Sequence, residues 1–303
     1  MTDVRFASGP VRVRVPATSA NLGPGFDALG LALGLYDEIG VRIVASGLTV
    51  TIVGEGAEGV RRDERNLVVR AMREAFDELG GQPTGLEIVC TNRIPHSRGL
   101  GSSAAAIVGG IAAARALGED GMTDDQLLRL ATCIEGHPDN VAACLYGGAT
   151  VAWMGRDGVR AERLDVDSTI RPVAFIPDAS RQSTKEARHA LPQTVSHADA
   201  ARTAGRAALL VRALGAQPGL LLAATEDWLH QPYRLGNQPG GAAIVQRLRE
   251  AGIPTVLSGS GPSVLSLASS EEQCALAVSL AGSGFTAKPL AVDREGVVEL
   301  PVS

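Results

Sequence analysis

Pro95-His96-Ser97-Arg98-Gly99-Leu100-Gly101-Ser102-Ser103-Ala104-Ala105 is the most informative stretch of this 303-residue chain. Two glycines one residue apart let the backbone approach an anion closely and adopt positive φ where a turn needs it. The apolar run to Leu117 reads as a helix, with Ser102 or Ser103 as its cap. The free N–H groups and positive dipole end of such a helix face whatever occupies the loop. The serine hydroxyls can cap the helix or reach a metal-bound phosphate. Small Ala104, Ala105 and Ala106 leave room for a bulky ligand against the first turn. The lysine of a G-x-x-x-x-G-K-S/T loop is missing, and the spacing does not fit a dinucleotide-binding turn. Local chemistry alone fits a plain strand-to-helix connection equally well.

Two further loops of the same kind lie on either side. Val11, Val13 and Val15 alternate with Arg12 and Arg14, the period of a half-buried strand, which Pro16 is expected to stop. A loop rich in Gly, Asn and Pro then runs to Asp27. Near the other end, Gly259-Ser260-Gly261-Pro262 interrupts a strand that starts at Thr255 and resumes over residues 263–267. Glycine inside a strand marks a bulge or a close backbone approach. Between these loops the pattern predicts strand over 40–53, broken at Gly47, and a helix over 66–79 with Asn66 as cap and Gly80-Gly81 as stop. A short strand follows at 86–90, then a helix from Thr123 to about Glu135, then strand at 150–153. The second half mixes strands near 172–176 and 255 with helices near 200–214 and 241–251. The class is α+β, in two lobes, residues 1–165 and 166–303.

Composition narrows the function. The net charge is −5 with no long run of one sign, which argues against a nucleic-acid surface. Lys185 and Lys288 are the only lysines, so 26 of the 28 basic residues are arginine, and an anion site must use arginine or backbone N–H groups. Cys90, Cys133, Cys144 and Cys274 show no metal-ligand spacing and read as buried small residues of a reducing compartment. The start, Met1 to Arg5, lacks the apolar stretch of a signal peptide. The most apolar window, 104–117, is too short to span a bilayer. A soluble cytoplasmic protein without membrane or nucleic-acid partners is expected.

The three loops, in this order, resemble the three motifs of the GHMP kinases, and P-x-x-x-G-L-G-S-S-A-A matches their phosphate loop at every fixed position. Within that superfamily the chain resembles the homoserine kinases from Val11 nearly to the C-terminus. The most specific pieces are residues 16–30, Glu135-Gly136-His137-Pro138-Asp139-Asn140-Val141, Ser183-Thr184-Lys185-Glu186-Ala187-Arg188 and His230-Gln231-Pro232-Tyr233-Arg234. The resemblance implies an N-terminal lobe with a left-handed βαβ unit, a C-terminal ferredoxin-like lobe, a homodimer, and ATP-dependent phosphorylation of the hydroxyl of L-homoserine. The rivals are another GHMP small-molecule kinase and a ligand sensor that kept the fold without turnover.

The substrate sets what the residues must supply. Its carboxylate calls for arginine, whose fork matches two oxygens. The family motifs point to Arg188 and Arg234. Asn21, Asp27 and Asn140 are expected at the ammonium and hydroxyl, with Thr184 a weaker candidate. His137 is either a substrate contact or a loop-packing histidine. By resemblance Mg²⁺ is held by Glu135 and by Ser102 or Ser103, and the ATP phosphates lie on the amides of 99–105, within a loop spanning Pro95 to Ala105. Other GHMP kinases use an aspartate as base; here Asn140 holds the matching place, so transfer without a strong general base is expected. L-Threonine, a close analogue, is an expected competitive inhibitor. Arg202-Thr203 and Gly236-Asn237-Gln238 depart from the commonest family pattern.

Overall fold

The computed structural model describes residues 6–7, 9–118, 121–179 and 184–301, and of residues 184–186 the backbone alone. Chain order is β1 (Val11–Ala20), β2 (Leu29–Ile43), β3 (Gly47–Gly54), α1 (Leu67–Leu79), β4 (Gly85–Asn92), α2 (Ser102–Leu117), α3 (Asp124–Glu135), α4 (Asp139–Tyr146), β5 (Ala149–Gly155) and β6 (Gly158–Leu164). Then come β7 (Arg171–Pro177), α5 (Thr184–His189), α6 (His197–Gly215), a 3-10 turn (Pro218–Leu220), α7 (Leu221–Ala224), α8 (Gln231–Gly236), α9 (Pro239–Glu250), β8 (Thr255–Leu257), β9 (Val264–Ala268), α10 (Glu271–Ser279), β10 (Phe285–Pro289) and β11 (Val298–Leu300).

A seven-stranded sheet runs β11-β1-β2-β4-β3, with β5 and then β6 added beside the first part of β2. β3 and β4 are parallel and joined through α1, which makes a βαβ unit. Tails return: β11 pairs antiparallel with β1 although it is nearly three hundred residues away in sequence. The second sheet is antiparallel in the order β10-β7-β9-β8. Numbered within its own βαββαβ run that is 4-1-3-2, the ferredoxin-like order. Its two faces follow the period of two. Val173, Phe175, Leu257 and Val264 pack on Ile244 and Leu248 of α9 and Ala277 of α10. Ala174, Val256, Leu265 and Leu267 join the main core with α6 and α7.

Local chemistry explains several boundaries. Asn66 caps α1, its side-chain oxygen accepting from Val68 N at 2.9 Å, and Gly80 closes the helix at φ 98°. Asn66→Ala is expected to lower unfolding stability by about 1 kcal/mol. The thermal midpoint would report it, and an unchanged midpoint would mean that packing alone holds α1. Thr123 and Gln126 form a reciprocal capping box at α3.

Four expectations need correction. Pro16 does not end β1; the register shifts between Pro16 and Ala17 and the strand continues to Ala20, because a bulge tolerates the missing N–H. Residues 259–262 do not interrupt one strand but turn β8 back onto β9 as an antiparallel pair. Neither Ser102 nor Ser103 caps α2: Gly101, in the left-handed region, is the cap residue and no side chain bonds there. Of the cysteines, Cys90 and Cys144 are buried while Cys133 is exposed. The eight-residue α4 fills the stretch between Glu135 and β5, to which the sequence pattern assigns no element.

Candidate active site

Three loops meet because their backbones bond to one another. Thr18 N donates to the Leu100 carbonyl at 3.1 Å, Gly259 N to Ala20 O at 3.2 Å, and Ser263 N to Arg98 O at 3.1 Å. The Ser258 hydroxyl bonds Ser19 Oγ at 2.8 Å and Gly99 O at 2.5 Å. Gly99 has φ 76°, and a β-carbon there would lie 2.4 Å from Ser258 O. Only glycine fits that junction.

The junction opens into a cleft lined by Asn21, Asp27, Ser97, Gly99, Gly101, Ser102, Ser103, Glu135, His137, Asp139, Asn140, Arg188, Arg234, Gly259 and Ser260. A second cavity shares Ser97, Ser102 and Ser103 with it and continues past His96, Ala105, Ala106, Asn66, Leu67, Asp37 and Ile52. Polar groups dominate the first and apolar walls the second. Of the expected loop residues, Leu100 and Ala104 are buried in the core instead, and Pro95 and Arg98 line neither cavity. Arg98 turns away, donating from Nη2 to the Asp178 carbonyl at 3.1 Å. The Thr184 side chain and Ser183 lie outside the described residues.

At the N-terminus of α2 the Ser103 hydroxyl donates to Glu135 Oε1 at 2.6 Å. Burial raises the Glu135 pKa above the usual range, against the Ser103 hydrogen bond and the charge of His137, which lower it. A desolvated carboxylate beside a hydroxyl and free helix amides suits a small hard cation that also takes phosphate and water oxygens. Among the described residues no group of three or more His, Cys, Asp or Glu is placed to hold a metal by itself. The oxygens present fit Mg²⁺ completed by phosphates.

His137 Nδ1 lies 2.7 Å from Asp139 Oδ1, which also accepts the Asn140 N–H at 2.7 Å. Burial disfavours the charged imidazole, but the hydrogen bond and charge of Asp139, then Glu135, outweigh it and raise the His137 pKa. Asp139 is thus occupied in holding its neighbours. The Thr18 hydroxyl donates to Asn140 Oδ1 at 2.7 Å, and Asn140 Nδ2 gives one N–H to Asp139 Oδ1 at 3.4 Å, which leaves its second N–H to donate. Thr18 was not legible as a site residue, since a threonine in a strand looks like any β-former.

In the same cleft, Asp27 takes a bidentate pair from Arg188, 3.0 Å to Nη1 and 2.8 Å to Nη2. That pair, chiefly its hydrogen bonds, raises the Arg188 pKa. Asn21 is locked at φ 69°, its Oδ1 accepting the Asp27 N–H at 3.0 Å and its Nδ2 donating to Gly259 O at 3.0 Å. Arg234 is 3% exposed and forms no ion pair with a carboxylate among the described residues. The two departures from the family pattern are structural: Thr203 Oγ1 accepts the Trp228 N–H at 3.2 Å, and Gln238 Nε2 donates to Ser260 O at 3.1 Å.

Residues 66–148 match the family of GHMP kinases N terminal domains. A homoserine kinase of Streptomyces avermitilis is 58% identical over 306 aligned positions, covering 100% of both chains. One from Streptomyces coelicolor is 56% identical, covering 100% of this chain and 98% of its own. Among solved structures, the homoserine kinase from Cytophaga hutchinsonii superposes with a TM-score of 0.86 at 29% identity, over 96% of this chain and 97% of that one. No helix among the described residues is long and apolar enough to cross a membrane.

Proposed function

The chain belongs to the homoserine kinase family of the GHMP kinases, and from that premise we propose how its cleft carries out the family's reaction. The protein is a kinase that uses ATP to phosphorylate the hydroxyl of homoserine, on a two-lobed α+β GHMP fold. The observation that carries the assignment of parts is one shared cleft. The amino end of α2, the Ser103–Glu135 pair and an amino-acid clamp of Asp27, Arg188 and Arg234 all line it.

In this reading the apolar cavity takes the adenine and ribose, and the amides from Gly99 to Ala105 hold the phosphates. Glu135 and Ser103 hold Mg²⁺, which when bound neutralises charge on the transferring phosphoryl group. Asp27 receives the ammonium and Arg234 with Arg188 the carboxylate. The Arg188–Asp27 pair therefore opens to admit a zwitterion, each charge of the substrate replacing one member of the pair. His137 sits at the same wall as a further contact. Asn140 can donate to the substrate hydroxyl but an amide cannot take its proton, so the chain's residues position and neutralise instead of acting as a strong base. L-Threonine keeps both charged groups with its hydroxyl one carbon nearer, and we propose it as a competitive inhibitor. A cytoplasmic homodimer is proposed on the family alone.

ADP release measured over a panel of alcohols tests the reading. Turnover of homoserine, with none of sugars or isoprenoid alcohols, is expected. No turnover of any alcohol would leave a ligand sensor. Glu135→Gln keeps the side chain's shape and removes its charge. Turnover should fall by on the order of 100-fold, as when a group aimed at developing charge is removed, and should partly recover at high Mg²⁺. Full activity at ordinary Mg²⁺ would reduce Glu135 to a structural partner of the Ser103 hydroxyl.

A further inference from the structure

Arg234 makes its hydrogen bonds from one end only. Nη1 donates to the Gly259 carbonyl at 3.0 Å and lies 3.3 Å from His230 Nδ1. Its Nε is buried with no partner. Among the described residues the guanidinium thus keeps one planar edge, Nε–H beside an Nη2 N–H, free of protein acceptors. That edge is a two-toothed donor matching a carboxylate.

What holds the other end is His230, with 0% exposure. Its Nε2 lies 2.7 Å from the Gly23 carbonyl and 3.5 Å from Asp227 Oδ2. Oxygens of those kinds only accept, so Nε2 carries the proton. A guanidinium N–H can only donate, so Nδ1, facing Arg234 Nη1 at 3.3 Å, presents its lone pair; burial, which lowers the pKa of the ring, acts in the same direction. The ring is stacked on Phe26 at 5.1 Å, and the Arg234 guanidinium lies 5.2 Å from the centre of the same Phe26 ring. Asp227 in turn fixes the backbone under the histidine, accepting the N–H groups of Leu229, His230 and Gln231 at 2.8–3.0 Å.

We propose that His230 is a positioning residue for substrate recognition: with its tautomer set by the Gly23 carbonyl, its Nδ1 joins the Gly259 carbonyl in holding Nη1 of Arg234, so that the Nε–Nη2 edge meets the substrate carboxylate side-on. The proposal rests on Arg234 being the carboxylate receptor. A histidine that merely packs would be replaced equally well by any apolar side chain of its size. One that positions Arg234 needs an acceptor at the Nδ1 place, and its loss is felt only by ligands that carry a carboxylate.

Two variants and two alcohols separate these roles. His230→Leu removes the acceptor; His230→Asn returns one near the Nδ1 place. L-Homoserine is compared with 3-aminopropan-1-ol, the same alcohol and amine without the carboxylate, each as kcat/KM with ATP saturating. In His230→Leu the KM for homoserine is expected to rise about tenfold, the scale of a lost hydrogen bond to a charged group. The KM for ATP and kcat/KM for 3-aminopropan-1-ol stay as in wild type. His230→Asn recovers most of the loss. Equal loss on both alcohols, or no recovery with asparagine, overturns the proposal. If the leucine variant does not fold, His230→Gln takes its place, since its longer amide reaches Gly23 and offers nothing at Nδ1. Arg234→Ala serves as the reference. If it too fails to discriminate between the alcohols, the carboxylate assignment itself is wrong; if it discriminates and the His230 variants do not, only the role of His230 falls.

Discussion

Gly101→Val is expected to abolish measurable ATP binding while homoserine binding, titrated without nucleotide, is largely kept. Gly101 has φ 69°, and a β-carbon there would sit 1.9 Å from Thr18 Oγ1. A non-glycine residue held in that region costs about 1–3 kcal/mol before any clash, roughly 10- to 100-fold in affinity, and a β-branched one costs more. The displaced Thr18 hydroxyl would also release Asn140, coupling the phosphate loop to the transfer site. Arg98→Ala is the contrast. It deletes the one cation of the loop, but that guanidinium reaches toward Asp178 and not into the cleft, so ATP affinity should change little. If Arg98→Ala abolished ATP binding and Gly101→Val did not, a side-chain anion site would have to replace the backbone cradle.

Arg234→Ala should raise the KM for homoserine about 10- to 100-fold or more, since a hydrogen bond between charged partners is worth roughly 1.5–3 kcal/mol and two are lost. The KM for ATP should hold. The sharper expectation concerns stability. Arg234 is a buried cation whose desolvation, the main influence on it, lowers its pKa, and its only hydrogen-bond partners are neutral. Desolvation outweighs the attraction of Asp27, Asp139 and Asp227, and a buried cation is costly, so the variant should melt within a few degrees of wild type and not far below it. A sharp fall in the melting temperature together with an unchanged homoserine KM would make Arg234 a structural residue. Arg188→Ala should raise the same KM by less, because the half-exposed Arg188 already shares its charge with Asp27.

Much of this was legible from residues whose effect is local. Asn66, Gly80 and the Thr123–Gln126 box announce helix ends through groups a few residues apart. The three glycine-rich loops were readable as close-approach sites because little but glycine tolerates such contacts. What escaped depends on partners far away in sequence. Pro16 is accommodated by a shift in register against β2. The turn at 259–262 was taken for an interruption because its flanks are equally apolar, and β8 and β9 are buried throughout. The serines of the phosphate loop read as caps, yet Gly101 takes that position with positive φ and frees Ser103 to meet Glu135, thirty-two residues on. His230 could be quoted as part of a motif, but its part in holding Arg234 needs Gly23 and Gly259 from opposite ends of the chain.

The late pairing of β11 with β1 bears on how the chain is made. When a ribosome has delivered β1 through β6, the first sheet has every strand but its outermost, and the backbone groups of Val11 to Arg14 facing away from β2 have no partner until residues 298–300 emerge. At 5–20 residues per second that interval is on the order of ten seconds, long enough for an open strand to recruit a neighbouring nascent chain. The arginines alternating through that strand are a physical guard for the interval: charge on an unpaired edge repels a second copy of itself. Arg12 can meet Glu38 of β2 from the start, whereas Arg14 keeps an unpaired charge until Glu295 arrives beside the strand that finally closes the edge.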